Sequence, residues 1–439
     1  MAVDKNLFMY ELAVVAIMKN EGPYIKEWLD YHLLAGVNHF YVYDNESPDN
    51  QKEILQPYID AGIVTYIFYP GKARQYEAYN DAVLNFRFFC RYMAFIDADE
   101  FIFPQSDKNI VEVVDDILSD NQRVGGVAIN WHQFGSNNLE KADYSRGVLE
   151  RFTRRASDKN VGLDPTTGFP AGNAHIKIIA NPRKVEYFWN PHFAVYFFGL
   201  YAINENGLEV RLHYNNPPTV KKIVINHYPM KSREEYEKKV LRGVADGIHN
   251  IYEKNPFAHI YNEEFDEEIL KYREVRKKIL IPKSLRKKTL SSKSFSVERE
   301  NKIKERLFKA VCKTVFFETF SAEKIEDLLI CLAICEKFQF KFDGKLISEK
   351  ILFLINQALH SHLSIFEWAL ILNCLAEILR LPYSVTEDIR KTCLKAIPIF
   401  KEFVRLNVRV IDNFYGWRTF SELTKQLKML ETFDFYTKK

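Results

Sequence analysis

The sequence predicts an α/β protein: a Rossmann-like domain with a mostly parallel sheet, followed by an all-α C-terminal domain. Three observations carry this expectation. Short β-branched or aromatic runs alternate with amphipathic stretches through the first hundred residues, each run ends in a polar cluster, and strand signals cease after about residue 300. Strands that alternate with helices need crossover connections, hence parallel pairing, and such sheets bind ligands at the carboxyl ends of their strands.

Leu12–Met18 (LAVVAIM), closed by Lys19-Asn20-Glu21-Gly22, has the continuous apolar character of a strand covered on both faces. Residues 24–35 place Ile25, Trp28, Leu29, His32 and Leu33 at helical spacing, with Gly36 where a C-cap glycine belongs. A second strand, 39–43, runs into Asp44-Asn45-Glu46-Ser47-Pro48-Asp49, a turn and N-cap signal that opens a helix reaching Ala61. A third strand (62–69), a helix (75–89) and a fourth strand (92–96) lead to Asp97-Ala98-Asp99-Glu100. Functional residues are therefore expected near Lys19, Asp44 and Asp97. From Val124 to His227 short strands (124–131, 174–179, 222–226) alternate with Gly, Asn and Pro clusters, and a charged helix spans 232–244.

At 439 residues the chain calls for two domains. Residues 1–270 form the α/β domain, 271–300 a basic, serine-containing linker (Arg276-Lys277-Lys278, Arg286-Lys287-Lys288), and 301–439 a helical accessory domain. The helical domain is the expected surface for homo-oligomer formation. A composition of 47% hydrophobic and 14% aromatic residues excludes a disordered chain, and a net charge of +3 argues against nucleic-acid binding by the whole protein. Six cysteines without a CxxC pair point to free thiols in a reducing compartment. The opening residues lack a signal peptide's pattern, and the most apolar stretch, 187–203, is broken by Asn190-Pro191-His192 and too short to cross a bilayer. A cytoplasmic protein is expected. The basic linker suits either a peripheral contact with an anionic inner-membrane surface or a solvated charged helix.

Phe95-Ile96-Asp97-Ala98-Asp99-Glu100 delivers two carboxylates, two residues apart, to the exposed end of a strand. On extended chain both would project to one side and approach one hard cation with its bound diphosphate. A departing nucleoside diphosphate gains negative charge as its bond to a sugar breaks, and a divalent ion stabilises it. Acidic turns after strands also occur as plain solvated turns.

KNEGPYIKEWLDYHLLAGVNHFYVYDNESPD (19–49), FIDADEFIF (95–103), WHQFGS (131–136) and NHYPMKSREEYEKKVLRG (226–243), in this order, resemble glycosyltransferase family 92 and related bacterial family 2-like proteins over roughly residues 10–250. The resemblance implies a GT-A fold, a uridine-diphosphate sugar donor with a galactose-like hexose, Mn2+ or Mg2+, inversion at the anomeric carbon, and a saccharide or glycolipid acceptor. Without an amino-terminal anchor, it further implies a bacterial cytoplasmic enzyme of surface polysaccharide or lipo-oligosaccharide synthesis.

Carried onto this chain, the resemblance places Lys19, Asn20 and Glu21 at the nucleotide and Asp44 at its ribose or base, although Asp44 reads equally as a helix N-cap. Gln75, Tyr79, Asn80 and Asp81 are donor contacts or a polar helix face. Asp97 contacts the donor and, with Asp99 and His227, holds the metal; Lys231 and Arg242 pair with phosphate oxygens. Trp131, Phe134, Gly135 and Ser136 form an acceptor platform or a strand end in the core. Glu150 is the expected general base, with Asp143 and Asp164 as competitors and an ion pair to Arg151 or Arg154 as its plainer role. Two other readings stay open: an inactive transferase-fold scaffold or partner subunit, and a sugar nucleotidyltransferase. The latter lacks the glycine-rich phosphate loop it would need after the first strand.

Overall fold

The structure, a computed structural model, describes residues 5–243, 257–280, 293–315 and 322–338 apart from 120, 165, 166 and 198, together with 340, 347, 350, 351, 353 and 354. The chain divides into two compact units. One comprises Tyr10–Val195 and Tyr201–Asn301; the other comprises Met1–Met9, Tyr196–Leu200 and Lys302–Lys439.

The first unit is built on strands β1 (Tyr10–Met18), β2 (His39–Asp44), β3 (Val64–Phe68) and β4 (Cys90–Phe95), connected by helices α1 (Gly22–Leu34), α2 (Gln51–Asp60) and α3 (Gln75–Phe86). The four strands are parallel in the order β3-β2-β1-β4. Every residue of β1 from Leu12 to Met18 is buried, because helices cover both faces of such a sheet. α1 starts at a proline-containing first turn and buries Ile25, Trp28, Leu29, Tyr31 and His32.

Beyond β4 the sequence pattern weakens and the sheet becomes mixed. Strand β5 (Glu100–Pro104), helix α4 (Ile110–Leu118), strand β6 (Val124–Gln133), a single helical turn α5 (Val148–Arg151), strand β7 (Arg154–Arg155) and strand β8 (Ile176–Ala180) follow. Then come β9 (Val185–Asn190), β10 (Phe193–Tyr196), β11 (Tyr201–Ile203), β12 (Glu209–Val210) and β13 (Ile223–His227). β8 lies antiparallel between β4 and β6, so β6 runs in the direction of β4. β13 is parallel to β6, and β5 returns antiparallel along β13. The carboxyl ends of β1, β2, β4, β6 and β13 therefore share one edge of the sheet. β5 is not expected from the sequence: its Phe-Ile-Phe core is a run of only three consecutive apolar residues, too short to outweigh the adjacent acidic turn.

Helix α6 (Arg233–Arg242) starts at a capping box in which Ser232 Oγ and Glu235 satisfy each other's backbone N–H groups. The same Glu235 accepts two 2.9 Å bonds from the Arg151 guanidinium, with both side chains at most 2% exposed. Strand β14 (Glu264–Phe265) pairs with β7, and helix α7 (Glu268–Leu280) packs against α1 and α5. The segment expected to be a linker thus begins as a docked helix. Arg276 is buried and donates to the carbonyls of Leu34 and Asp107, so it is not displayed to a lipid surface. Residues 281–292, with the second basic run, lie outside the described residues.

In the other unit, helices α8 (Lys293–Val315), which begins in the first unit, and α9 (Ala322–Phe338) bury Leu307, Val311, Leu328, Leu329 and Ile330. Arg306 donates to the carbonyls of Phe8 and Met9. The part of the expected helical accessory domain beyond residue 354 lies outside the described residues. Among the described residues no helix is long and apolar enough to cross a membrane.

Because Arg151 and Glu235 are sealed from water, Arg151→Met should leave a buried uncompensated carboxylate. The expected loss is about 3–5 kcal/mol, read as a lowered midpoint of denaturant unfolding monitored in the α/β unit.

Candidate functional site

At the shared edge, β4 ends at Phe95 and the chain reverses through Ile96–Asp99, with the Glu100 N–H donating to the Asp97 carbonyl at 3.1 Å. This turn overturns the expectation that Asp97 and Asp99 project together from extended chain. They face different partners instead. Asp97 Oδ1 accepts from Gln75 Nε2 at 2.7 Å and Tyr79 Oη at 3.4 Å, and its Oδ2 accepts from Lys177 Nζ at 2.9 Å. Asp99 Oδ2 accepts from Lys239 Nζ at 2.7 Å, and its Oδ1 lies 3.6 Å from His227 Nε2.

The return of the chain explains the second set. β5 begins at Glu100, which is in register with His227, and the Tyr228 N–H donates to the Asp99 carbonyl at 2.8 Å. Asp99 is thereby laid against the end of β13. Burial pushes its carboxyl upward, but the Lys239 ammonium and His227 more than offset this and hold it well below the usual carboxylate range. For His227 burial is the largest cause and lowers its proton affinity, leaving a neutral imidazole. Its Nδ1 is buried without a partner.

Lys177, on β8, is fully buried beneath the turn, 2.9 Å from Asp97 and 3.6 Å from Glu100. Burial lowers its proton affinity, yet the two carboxylates raise it further, so it stays an ammonium. Glu100 is pushed above the carboxylate range by burial, with Lys177 opposing, and donates its place to structure: its Oε2 accepts from the Asp97 N–H at 2.8 Å. Lys177 and Lys239 were both invisible to motif reading. Nothing in sequence distinguishes a buried lysine on a short strand, or one lysine among several on a charged helix, from a surface residue.

Across the edge, Asn20 adopts a left-handed φ of 57° and its N–H donates to Ser47 Oγ; its Oδ1 is buried without a partner. Glu21 Oε1 pairs with Arg242, which also donates to the Lys19 carbonyl at 2.6 Å, while Glu21 Oε2 is buried and unpartnered. Lys231 is buried with its Nζ 4.5 Å from the centre of the Tyr24 ring. Burial is the largest influence on it and lowers its proton affinity, with Glu21 and Asp99 opposing. The structure therefore brings Lys19, Asn20, Glu21, Lys231 and Arg242 together around unfilled polar atoms. Asp44 belongs to the frame: its carboxylate accepts from the Ser47 N–H and Tyr66 Oη, and Asn50, not Asp44, occupies the N-cap position of α2.

Several expected site residues are placed elsewhere. Asn80 clamps β9 by donating to the Phe188 carbonyl and accepting from the Phe188 N–H, and the Asp81 carboxylate accepts from Tyr43 Oη. Phe134 is fully buried and stacked 4.6 Å from Tyr228; Ser136 is fully buried with its Oγ 2.6 Å from His259 Nδ1. A Cβ at Gly135 would come within 2.3 Å of the Ile260 carbonyl oxygen. These three residues are packing, not an open platform. Trp131, 6% exposed, is enclosed by His227 at 4.2 Å, His175 at 5.0 Å and His192 at 5.1 Å between ring centres. It braces the His227 ring and also lines a cavity with His132, Asp158, Asn173 and Glu205. Glu150 pairs with Arg273 of α7 at 2.9 Å, Arg151 being engaged by Glu235 and Arg154 bonded to the Asn262 carbonyl. Asp143 and Asp164 accept bonds within their own turns, from Ser145 and Thr167. None of the three is placed at the acidic turn by these contacts.

Among the described residues no group of three His, Cys, Asp or Glu side chains converges as a metal site, so the expected trio of Asp97, Asp99 and His227 is not assembled. The reason is the turn, which gives Asp97 to Lys177. Asp99 and His227 alone still fit a hard divalent ion: atoms 3.6 Å apart can each lie ~2.1 Å from one ion, and such ions commonly take one or two protein ligands, substrate phosphates and water.

Comparison with known proteins follows the same residues. Residues 15–255 match the model of Glycosyltransferase family 92. A glycosyltransferase family 92 protein of Ricinus communis is 27% identical over 147 residues, which are 33% of this chain and 26% of that protein. A galactan beta-1,4-galactosyltransferase of Arabidopsis thaliana is 30% identical over 100 residues, covering 20% of this chain and 19% of that one. The chain thus spans about a quarter or less of the length of these curated relatives. The S. aureus TarS 1–349 structure aligns over 81% of this chain and 93% of its own at 14% identity with a TM-score of 0.26, a likeness too low to carry an argument.

If Asn80 is a clamp and not a donor contact, Asn80→Asp should place a carboxylate against the Phe188 carbonyl and cost about 1–3 kcal/mol in chemical unfolding. Nucleotide affinity in calorimetric titration should stay unchanged.

Proposed function

This chain belongs to glycosyltransferase family 92, and from that premise we propose that it transfers a hexose from a nucleoside-diphosphate sugar to a saccharide acceptor with the help of a divalent cation. The observation that supports this most directly is the meeting of Asp99 Oδ1 with His227 Nε2 at 3.6 Å, beside Lys231 and Lys239, on the sheet edge where β4 and β13 end. A uridine-diphosphate donor is the reading the family motifs favour, and a galactose-like hexose follows the named function of the Arabidopsis relative.

In this reading Asp99 and neutral His227 would hold the ion, which supplies Lewis-acid stabilisation of the departing diphosphate. Lys231, desolvated over Tyr24, is placed to add positive charge where the leaving group gains negative charge. Asn20 and Glu21, with unpartnered buried oxygens, are placed to accept hydrogen bonds from the nucleoside. Asp97 keeps the turn in place through Lys177. An acceptor hydroxyl oxygen bonds to the anomeric carbon, the carbon–oxygen bond to phosphate breaks, and the hydroxyl proton passes to a general base. The named relatives are plant proteins and lend nothing to a bacterial surface polysaccharide or lipo-oligosaccharide as acceptor. The proposal stops at the class of saccharide.

Purified protein should hydrolyse a uridine-diphosphate hexose slowly when Mn2+ or Mg2+ is supplied. Asp99→Asn should lower that rate on the order of 100-fold or more in protein that stays folded by circular dichroism. A wild-type protein inert toward a panel of nucleotide sugars would favour the scaffold reading, and a variant at wild-type rate would remove Asp99 from the chemistry.

A further inference from the structure

Both aspartates of the acidic turn enter the site already neutralised. Lys177 meets Asp97, and Lys239 meets Asp99 at 2.7 Å with side-chain exposures of only 17% and 10%. Lys239 also donates to the Pro229 carbonyl at 3.2 Å. It is not a wandering surface lysine. It rides in the last turn of α6, whose first turn is locked by the Ser232–Glu235 capping box and the sealed Arg151–Glu235 pair. The backbone that carries it is tied down at the other end of a three-turn helix.

The electrostatic consequence depends on what arrives. A divalent ion alone meets an aspartate whose charge is largely cancelled by an adjacent ammonium. A diphosphate alone meets Lys239 and the neighbouring buried Lys231, each of which disfavours the other's charge, but also meets Asp99 and Asp97. An ion and a diphosphate together supply the opposite charges that each lone ligand lacks. From this arrangement we propose that Lys239 is a built-in counter-cation of Asp99 that makes the site take a divalent ion and a nucleoside diphosphate as a mutually dependent pair, and the ion alone poorly.

This inference rests on the donor reading above and goes beyond it by giving Lys239 a role in binding order. Coupling between two ligands is reciprocal, so the diphosphate must tighten the ion by the factor by which the ion tightens the diphosphate. Removing the ammonium leaves Asp99 uncompensated, which favours a lone cation and disfavours a lone anion. An arginine keeps the charge and should keep the coupling.

The test is direct binding, without turnover. Free Mn2+ is measured by electron paramagnetic resonance as protein is added, with and without uridine diphosphate, and uridine diphosphate binding is measured by calorimetry with and without Mn2+. In the wild type, uridine diphosphate should tighten Mn2+ at least about tenfold. In Lys239→Met, Mn2+ alone should bind at least about tenfold tighter and metal-free uridine diphosphate at least about tenfold weaker, so that the mutual enhancement collapses, while Lys239→Arg behaves as the wild type. A folded Lys239→Met protein, by circular dichroism and melting, with both single-ligand affinities unchanged would overturn the proposal. So would a wild type whose Mn2+ affinity is the same with and without uridine diphosphate, a result that needs no variant to fold. A wild type that binds no nucleoside diphosphate under any condition would sink the donor reading itself, which separates the two failures.

Discussion

The site depends on one buried ammonium. Lys177 has no exposed surface, and it reaches Asp97 and Glu100 on the two sides of the acidic turn. Burying an ammonium and a carboxyl group together is costly unless their charges are answered, and Lys177 meets both Glu100 and the partly exposed Asp97 only if the chain reverses where it does. With the turn so fixed, Glu100 falls into register with His227 and the Asp99 carbonyl accepts from the Tyr228 N–H. The placement of Asp99 beside His227 is a consequence of that reversal and not of any affinity between the two side chains.

A second constraint acts from the far side of the edge. Glu235 closes the N-terminus of α6 and receives the Arg151 guanidinium in the same carboxylate, so one residue anchors the helix to its own cap and to α5. The helix then carries two of the cations of the site, Lys239 to Asp99 and Arg242 to Glu21. The acidic and basic halves of the site are thus held by separate frames, a sheet edge and a capped helix. Neither half is built from a mobile surface side chain, which is why ion pairs that would contribute little on an open surface fix geometry here.

The histidines around Trp131 show how a polar site is kept rigid without further charge. His175, His192 and His227 all lose proton affinity, with burial the largest cause in each, and the first is pushed down to about 4. Neutral imidazoles pack on the indole in T-shaped and tilted contacts, and none brings a positive charge that would compete with Lys239 for Asp99. Trp131 therefore braces His227 while it also lines a cavity.

Sequence alone determined the α/β class, the order of the first four strands and their helices, the family, and the position of the acidic turn at a strand end. Those features are local: apolar runs, caps, and residues adjacent in the chain. It misjudged which polar residues of each motif face the site. Gly135, Ser136 and Asn80 are motif residues whose neighbours come from 257–262 or from β9, and no spacing within the motif reveals those contacts. Only the tertiary structure decided that Asp97 and Asp99 diverge, that Asp97 answers to Lys177 from eighty residues away, and that Asp99 answers to Lys239 and His227. These are pairings across long loops, and the energy that selects them is the desolvation of buried charge, a quantity that exists only once the chain has closed around it.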